Sequence, residues 1–219
     1  MSDMVDSEEN EQLSSIEKRD LVIQAGMQAI PYIGGTLATL YFGKKQELRF
    51  KRLETFYKEV AEEISDLEDK LAPFETYDKE ALTAIIEELN EKIECEQVQE
   101  KREYFKSYLK NTLINPIKQG NYDERRFFLD TLGSMSLLEC ELLGLFNKNT
   151  EPTRVGQIQK SGVDQYAIVG AVGRVKTYGF LISGQPGINI GGGQDNSLLE
   201  TVKISDFGKR FCEFCLKTD

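Results

Sequence analysis

The chain has 219 residues, 40% hydrophobic and 29% charged, enough for one large domain or two small ones with a buried core. Residues 121–219 hold 12 acids and 11 bases, so residues 1–120 carry −9 of the net charge of −10, and a global attraction to nucleic acid is not expected. The chain contains no histidine, which excludes a Ser-His-Asp triad, a Cys-His pair, a histidine-ligated zinc and a histidine proton shuttle.

Residues 1–20 contain seven acids and two bases with few apolar side chains, and read as a flexible acidic tail. The next 23 residues, Leu21 to Gly43 (LVIQAGMQAIPYIGGTLATLYFG), carry no charge at all. As a continuous helix this segment would be roughly 35 Å long, enough to cross a bilayer core. Gln24 and Gln28 one turn apart, Pro31 in the middle and the Gly34-Gly35 pair argue instead for two short helices bent near residues 31–35. Three readings stay open: a helical hairpin buried in protein or in an oligomer, a membrane span, or an interfacial segment held on anionic lipid. Ile30, Pro31, Ile33, Gly34, Gly35, Leu37, Leu40 and Phe42 are the candidate membrane or oligomer contacts, and Lys44, Lys45, Arg49, Lys51 and Arg52 form a basic flank. A span would keep that flank and the domain after it in the cytoplasm. The residues before the apolar run are acidic where a secretory leader would be basic, so a cytoplasmic location with reduced thiols is expected, with or without membrane association.

Residues 44–118 read as a helical bundle or coiled-coil region. Leu53, Tyr57, Val60, Ile64, Leu67 and Leu71 recur at steps of four and three on an otherwise charged helix that ends at Ala72-Pro73-Phe74. Asp78 caps a second helix with Leu82, Ile85, Ile86, Leu89 and Ile93 on one face, its solvated face holding Glu87, Glu88, Glu91 and Lys92. A third helix carries Val98, Phe105, Leu109 and Leu113 and stops at Asn115-Pro116. Three antiparallel helices packing these stripes together explain the pattern without an active site.

The texture changes beyond Asn121, which places a domain boundary between 115 and 123 and a second domain over 119–219. Glu124 to Leu132 forms a helix with Phe127, Phe128 and Leu132 inward, and Ser136 with Glu139 makes a capping box for a helix from Leu137 to Phe146. Val163 to Val175 forms a third helix, with Tyr166, Val169, Val172 and Val175 inward. Phe180 to Ser183 and Thr201 to Ile204 are strands, and Ser205 caps a last helix from Asp206 to Lys217. Helix, helix, helix, strand, loop, strand is the order of a winged helix. The loop GQPGINIGGG lies between two strands and lacks the GK[ST] ending of a phosphate loop, so it reads as the wing tip. Asp206-Phe207-Gly208 matches a kinase triplet, but no other kinase element accompanies it. Cys212 and Cys215 form a single C-x-x-C on the closing helix, and core packing is preferred there over metal or redox work. The fold class expected is therefore mainly α, an N-terminal helical bundle with an apolar helical segment joined to a winged-helix-like α+β domain.

Nucleic-acid contacts, if made, would rest on Gln165, Arg174, Lys176 and Lys203, few for a base-reading and phosphate-neutralising face. The succession KREYFKSYLKNTLINP, ERRFFLDTLGSMSLLECELLGLF, YGFLI and VKISDFGKRFCEFC resembles the layout of Abi-alpha-type abortive-infection proteins of bacteria and their phages, over roughly residues 98–217. Ser136, Leu138 and Glu139 match that family's helix start, and Gly208 and Phe211 its closing helix. The resemblance implies a role in phage–host conflict and no catalytic centre. The function expected is a non-enzymatic effector without cofactor or metal, acting through homo-oligomer assembly or membrane contact of its apolar segment and through recognition of a protein partner by the winged helix. The alternative is a DNA-binding transcriptional regulator using the helix 163–175 and the wing.

Overall fold

The computed structural model describes residues 47–65, 67–149, 151–184 and 196–217, which are mainly helical with one small three-stranded antiparallel sheet. The acidic tail, the apolar segment 21–43 with Lys44 and Lys45, and residues 185–195 of the glycine-rich loop lie outside the described residues. The chain divides into two compact units, residues 1–69 and residues 70–219.

In the first unit, helix α1 spans Glu47–Ser65. Leu53, Tyr57, Val60 and Ile64 are fully buried, as their spacing predicts, and Phe56 is buried beside them, so the apolar face is wider than a coiled-coil seam. Arg49 and Arg52 lie on this helix, and Lys51 is exposed. The helix ends at Ser65, short of the expected stop at residue 72. Ser65 Oγ there donates to the Glu62 carbonyl at 2.7 Å and Leu67 N to the Ile64 carbonyl at 2.8 Å, which satisfies two of the last-turn acceptors before Leu71 is reached.

In the second unit, α2 (Lys79–Cys95) starts where the Asp78 carboxylate accepts from Ala81 N at 3.1 Å, and it buries Leu82, Ile85, Ile86, Leu89 and Ile93 as expected. Helix α3 (Gln99–Ile114) is buried much further round than its apolar stripe indicates: Lys101, the run Phe105 to Leu109, Thr112 and Leu113 are all covered. Helices α4 (Tyr122–Ser134) and α5 (Leu137–Lys148) follow, then strand β1 (Thr153–Arg154), α6 (Gln165–Thr177), β2 (Leu181–Ser183), the short helix α7 (Asn196–Leu199), β3 (Thr201–Ile204) and α8 (Asp206–Phe211), which runs on into a π-helical turn over Cys212–Leu216.

The unit's extent corrects the boundary expected between residues 115 and 123. Helix α3 packs on the closing π-turn: Ser107 Oγ donates to the Lys217 carbonyl at 3.0 Å, Asn111 Nδ2 to the Phe214 carbonyl at 3.0 Å, and Tyr108 meets the Phe214 ring edge-on at 5.3 Å. These partners are polar or aromatic and lie off the Phe105–Leu109–Leu113 stripe, so a periodicity reading does not show this contact. Phe127, expected inward, is 39% exposed, although its ring still meets Phe207 at 5.5 Å.

The sheet order is β1-β3-β2, with Thr153 opposite Val202 and Leu181 opposite Ile204, both pairs antiparallel. Strand β1 interrupts the expected helix, helix, helix succession; two residues after Pro152 are too few to show alternation, and they are strand only because β3 supplies the ladder. The sheet buries Leu181, Val202 and Ile204 on one face.

Helix α8 approaches the end of α6 closely. Gly179 adopts φ +78°, its carbonyl accepts from Ser205 Oγ at 2.7 Å, Ser205 N donates to the Phe180 carbonyl at 2.8 Å, and Phe180 stacks on Phe211 at 4.4 Å. A Cβ at Gly208 would sit 2.4 Å from the Phe180 carbonyl oxygen, closer than any backbone tolerates. A Cβ at Gly170, in mid-helix, would meet nothing within 4 Å. Gly208→Ala is therefore expected to lower the unfolding free energy by about 3 kcal/mol through overpacking, while Gly170→Ala raises it by about 1 kcal/mol through helix propensity. Urea unfolding of the two variants measures both, and equal effects of the same sign would contradict the packing described.

Candidate interaction surface

Helix α6 and the sheet beside it carry all four residues that the sequence nominates for nucleic-acid contact. Asp164 caps the helix by accepting from Tyr166 N at 2.8 Å. The buried face is Ile168, Ala171, Val172 and Val175, and Tyr166 is 56% exposed, which corrects the expected inward set. The reason is geometric: Ile168, Ala171, Val172 and Val175 follow the i, i+3, i+4, i+7 spacing of one face, whereas steps of three from Tyr166 drift half-way round the helix by Val175. The outward face is then Tyr166, Ala167, Gly170, Gly173, Arg174 and Thr177, smooth apart from the tyrosine and the arginine.

Arg174, its side chain 54% exposed, is tied to the fold from the surface. Its Nε lies 3.2 Å from Glu139 Oε1, and its Nη2 donates to the Ser134 carbonyl and to Tyr178 Oη, each at 3.0 Å. Glu139 is the acidic member of the capping box of α5: its Oε2 accepts from Ser136 N at 2.7 Å while Ser136 Oγ accepts from Glu139 N at 3.3 Å. The carboxylate is only 3% exposed, and burying it requires the guanidinium. The hydrogen bond to Tyr178 and the charge of Glu139 hold the Arg174 pKa above its ordinary value. Lys176 pairs with Glu200, which also accepts from Ser183 Oγ at 2.6 Å. Gln165 Nε2 donates to the Val155 carbonyl at 3.2 Å, tying α6 to the 3-10 turn Val155–Gln157 after β1. Lys203 alone of the four is exposed without such a tie, opposite Ile182, which is 49% exposed on the open face of the sheet.

Comparison with known protein families, with curated proteins and with solved structures finds no match. The surfaces of the molecule therefore have to be weighed by their own chemistry. Cys140, Cys212 and Cys215 are buried free thiols, and burial pushes Cys140 and Cys212 up to about 12 and Cys215 well above its ordinary value, so each is a core side chain with little thiolate character. A cleft of about 410 Å³ is lined by Asp78, Glu80, Gln119, Tyr122 and Asp123, but Asp78 already serves as the α2 cap there, and no nucleophile with its base stands in it. Among the described residues no group of three or more Cys, Asp or Glu side chains is placed to hold a metal ion, and no helix is long and apolar enough to cross a membrane.

Two further charge clusters were not legible as such. Lys101, buried on α3, pairs with Glu96 at 2.7 Å and lies 3.4 Å from the Gly133 carbonyl. On α2, Glu87 and Glu91 are exposed as expected, but Glu88 and Lys92 are largely covered, because α4 packs alongside and brings Arg126 and Asp130 to them. Burial raises the Glu96 and Glu200 carboxyls, but hydrogen bonds from Lys101 and Val98 N to the first and from Lys176 and Ser183 to the second outweigh it, and both pKa values fall below the ordinary 4.5. A carboxyl depressed in the folded state adds stability above its unfolded pKa and loses it as pH falls through the folded value. The urea midpoint is thus expected to drop progressively below about pH 4.5, and the drop should shrink in Lys101→Met. An acid limb identical in that variant and in the parent would contradict the assignment.

Proposed function

We propose that the chain is a non-enzymatic interaction protein whose C-terminal unit works as a winged helix turned toward a protein partner. The topology supports the fold reading: α5, β1, the turn Val155–Gln157, α6 and the β2–β3 pair follow one another, and β3 lies between β1 and β2. In this arrangement the first helix of the winged helix is α5, one helix later than the sequence order indicates, and α6 is the helix that a DNA reader would insert in a groove. Fold alone decides nothing about the ligand.

The observation that carries the reading is the engagement of Arg174 with Glu139 and of Lys176 with Glu200. Phosphate binding would have to compete at both cations with carboxylates of the fold, and the rest of the outward face of α6 is neutral, with a protruding Tyr166. Exposed tyrosine on a smooth surface is an anchor of protein interfaces. The uncharged segment 21–43 with its basic flank supplies the second activity, assembly or membrane contact, and the resemblance to Abi-alpha-type proteins is the ground for proposing a role in phage–host conflict.

The full-length protein is expected to leave duplex DNA free even at low salt, and to show either a mass above the monomer by light scattering or flotation with anionic vesicles. Replacing Ile33 and Leu37 by Asp removes whichever of the two is found. Salt-sensitive DNA retention that Lys176→Ala and Lys203→Ala weaken would overturn the reading in favour of the DNA-binding regulator, and unchanged mass and flotation in the Ile33→Asp/Leu37→Asp variant would overturn the role given to the apolar segment.

A further inference from the structure

The α2–α4 contact gathers two carboxylates, Glu88 and Asp130, around the Lys92 ammonium, with Arg126 on the far oxygen of Glu88. Lys92 Nζ lies 3.1 Å from Glu88 Oε1 and 2.8 Å from Asp130 Oδ1, so the two acids stand within about 6 Å of each other, close enough for like charges to disfavour joint ionisation. The lysine stem runs close over α4: a Cβ at Gly133 would lie 2.7 Å from Lys92 Cδ. The groups facing Glu88 are Lys92 on its own helix, Arg126 (Nε 3.4 Å from Glu88 Oε2) and Asp130 on α4, and the Tyr108 phenol of α3. Glu88 Oε1 is buried without a hydrogen bond of good geometry, and Lys92 reaches it only as an ion pair, so the Glu88 carboxylate is desolvated without full compensation.

We propose that Glu88 and Asp130 act as a proton-sharing carboxyl pair across the α2–α4 contact, so that the contact tightens when the protein enters mildly acidic surroundings. One proton from solvent adds to Glu88; its O–H donates to the Asp130 carboxylate, which stays ionised and paired with Lys92. Burial and the Asp130 neighbour raise the Glu88 pKa above the ordinary 4.5, while Asp130, whose hydrogen bond from Glu88 is the leading cause, is lowered. An acid whose folded pKa is raised binds its proton more tightly when folded. Stability therefore grows as pH falls through that folded value toward 4.5, the opposite direction to Glu96 and Glu200, which act only below it. The absence of histidine from the chain leaves this window free of the usual titrating side chain.

The test compares urea midpoints of the full-length protein at about pH 7.5 and about pH 5. The parent should have the higher midpoint at the lower pH. Glu88→Gln, which keeps the shape and a donor facing Asp130, should have the same midpoint at both, and Asp130→Asn should shrink the difference because it removes the neighbouring charge. A carboxyl-carbon NMR titration of the parent should show Glu88 titrating above the other glutamates. A parent midpoint that does not rise on acidification, a rise that survives in Glu88→Gln, or a Glu88 carboxyl titrating with the bulk of the glutamates would each overturn the proposal.

Discussion

Residues 70–219 depend on the close approach of helix α8 to the Phe180 carbonyl. That oxygen accepts from Ser205 N, Gly208 has no side chain to hold the helix away, and the Phe180 ring stacks on Phe211. From this point the aromatic side chains propagate the packing: Phe211 meets Phe128 of α4 edge-on at 5.3 Å, and Phe128 and Tyr108 both reach Phe214 of the π-turn. A chain closure of this kind draws the π-turn onto α3, more than a hundred positions earlier, and makes one unit from what looks like two in sequence.

A second constraint comes from burying charge. Glu139 reaches back to cap α5 and is covered by α6 in the process, so the helix that covers it must bring a cation, and Arg174 is that cation. The same logic pairs Lys101 with Glu96 and Lys176 with Glu200. Arg174 and Lys176, the two bases of α6, are thereby each paired with an acid of their own unit.

Much of the helical layout was legible: the Asp78 and Ser205 caps, the Ser136–Glu139 box, the apolar face of α2 and the β2–β3 pair all stand where local chemistry puts them. These signals are short-ranged, and a cap or an i, i+4 stripe is complete within two turns. What was not legible depends on partners far along the chain. Strand β1 exists only against β3, α3 is buried on faces whose residues are Ser, Asn and Tyr, and Arg174 looks like a free surface cation until Glu139 is placed beneath it. The reversed orientation of Tyr166 was readable in principle, since a set spaced by threes cannot share one helix face, and Ile168 with Ala171 and Val175 could have shown it. The candidate interaction surface therefore emerged from residues first nominated for DNA.

The central claim is that Arg174 serves Glu139 and not an external phosphate, and a double-mutant cycle tests it most directly. Unfolding free energies of the parent, Arg174→Ala, Glu139→Gln and the double variant yield the coupling between the two side chains. The account predicts a coupling of about 1 kcal/mol or more, with the double variant less damaged than the sum of the single ones. Additive effects, with no coupling beyond about 0.3 kcal/mol, would mean that the guanidinium is not committed to Glu139 and would return Arg174 to the surface as a ligand contact.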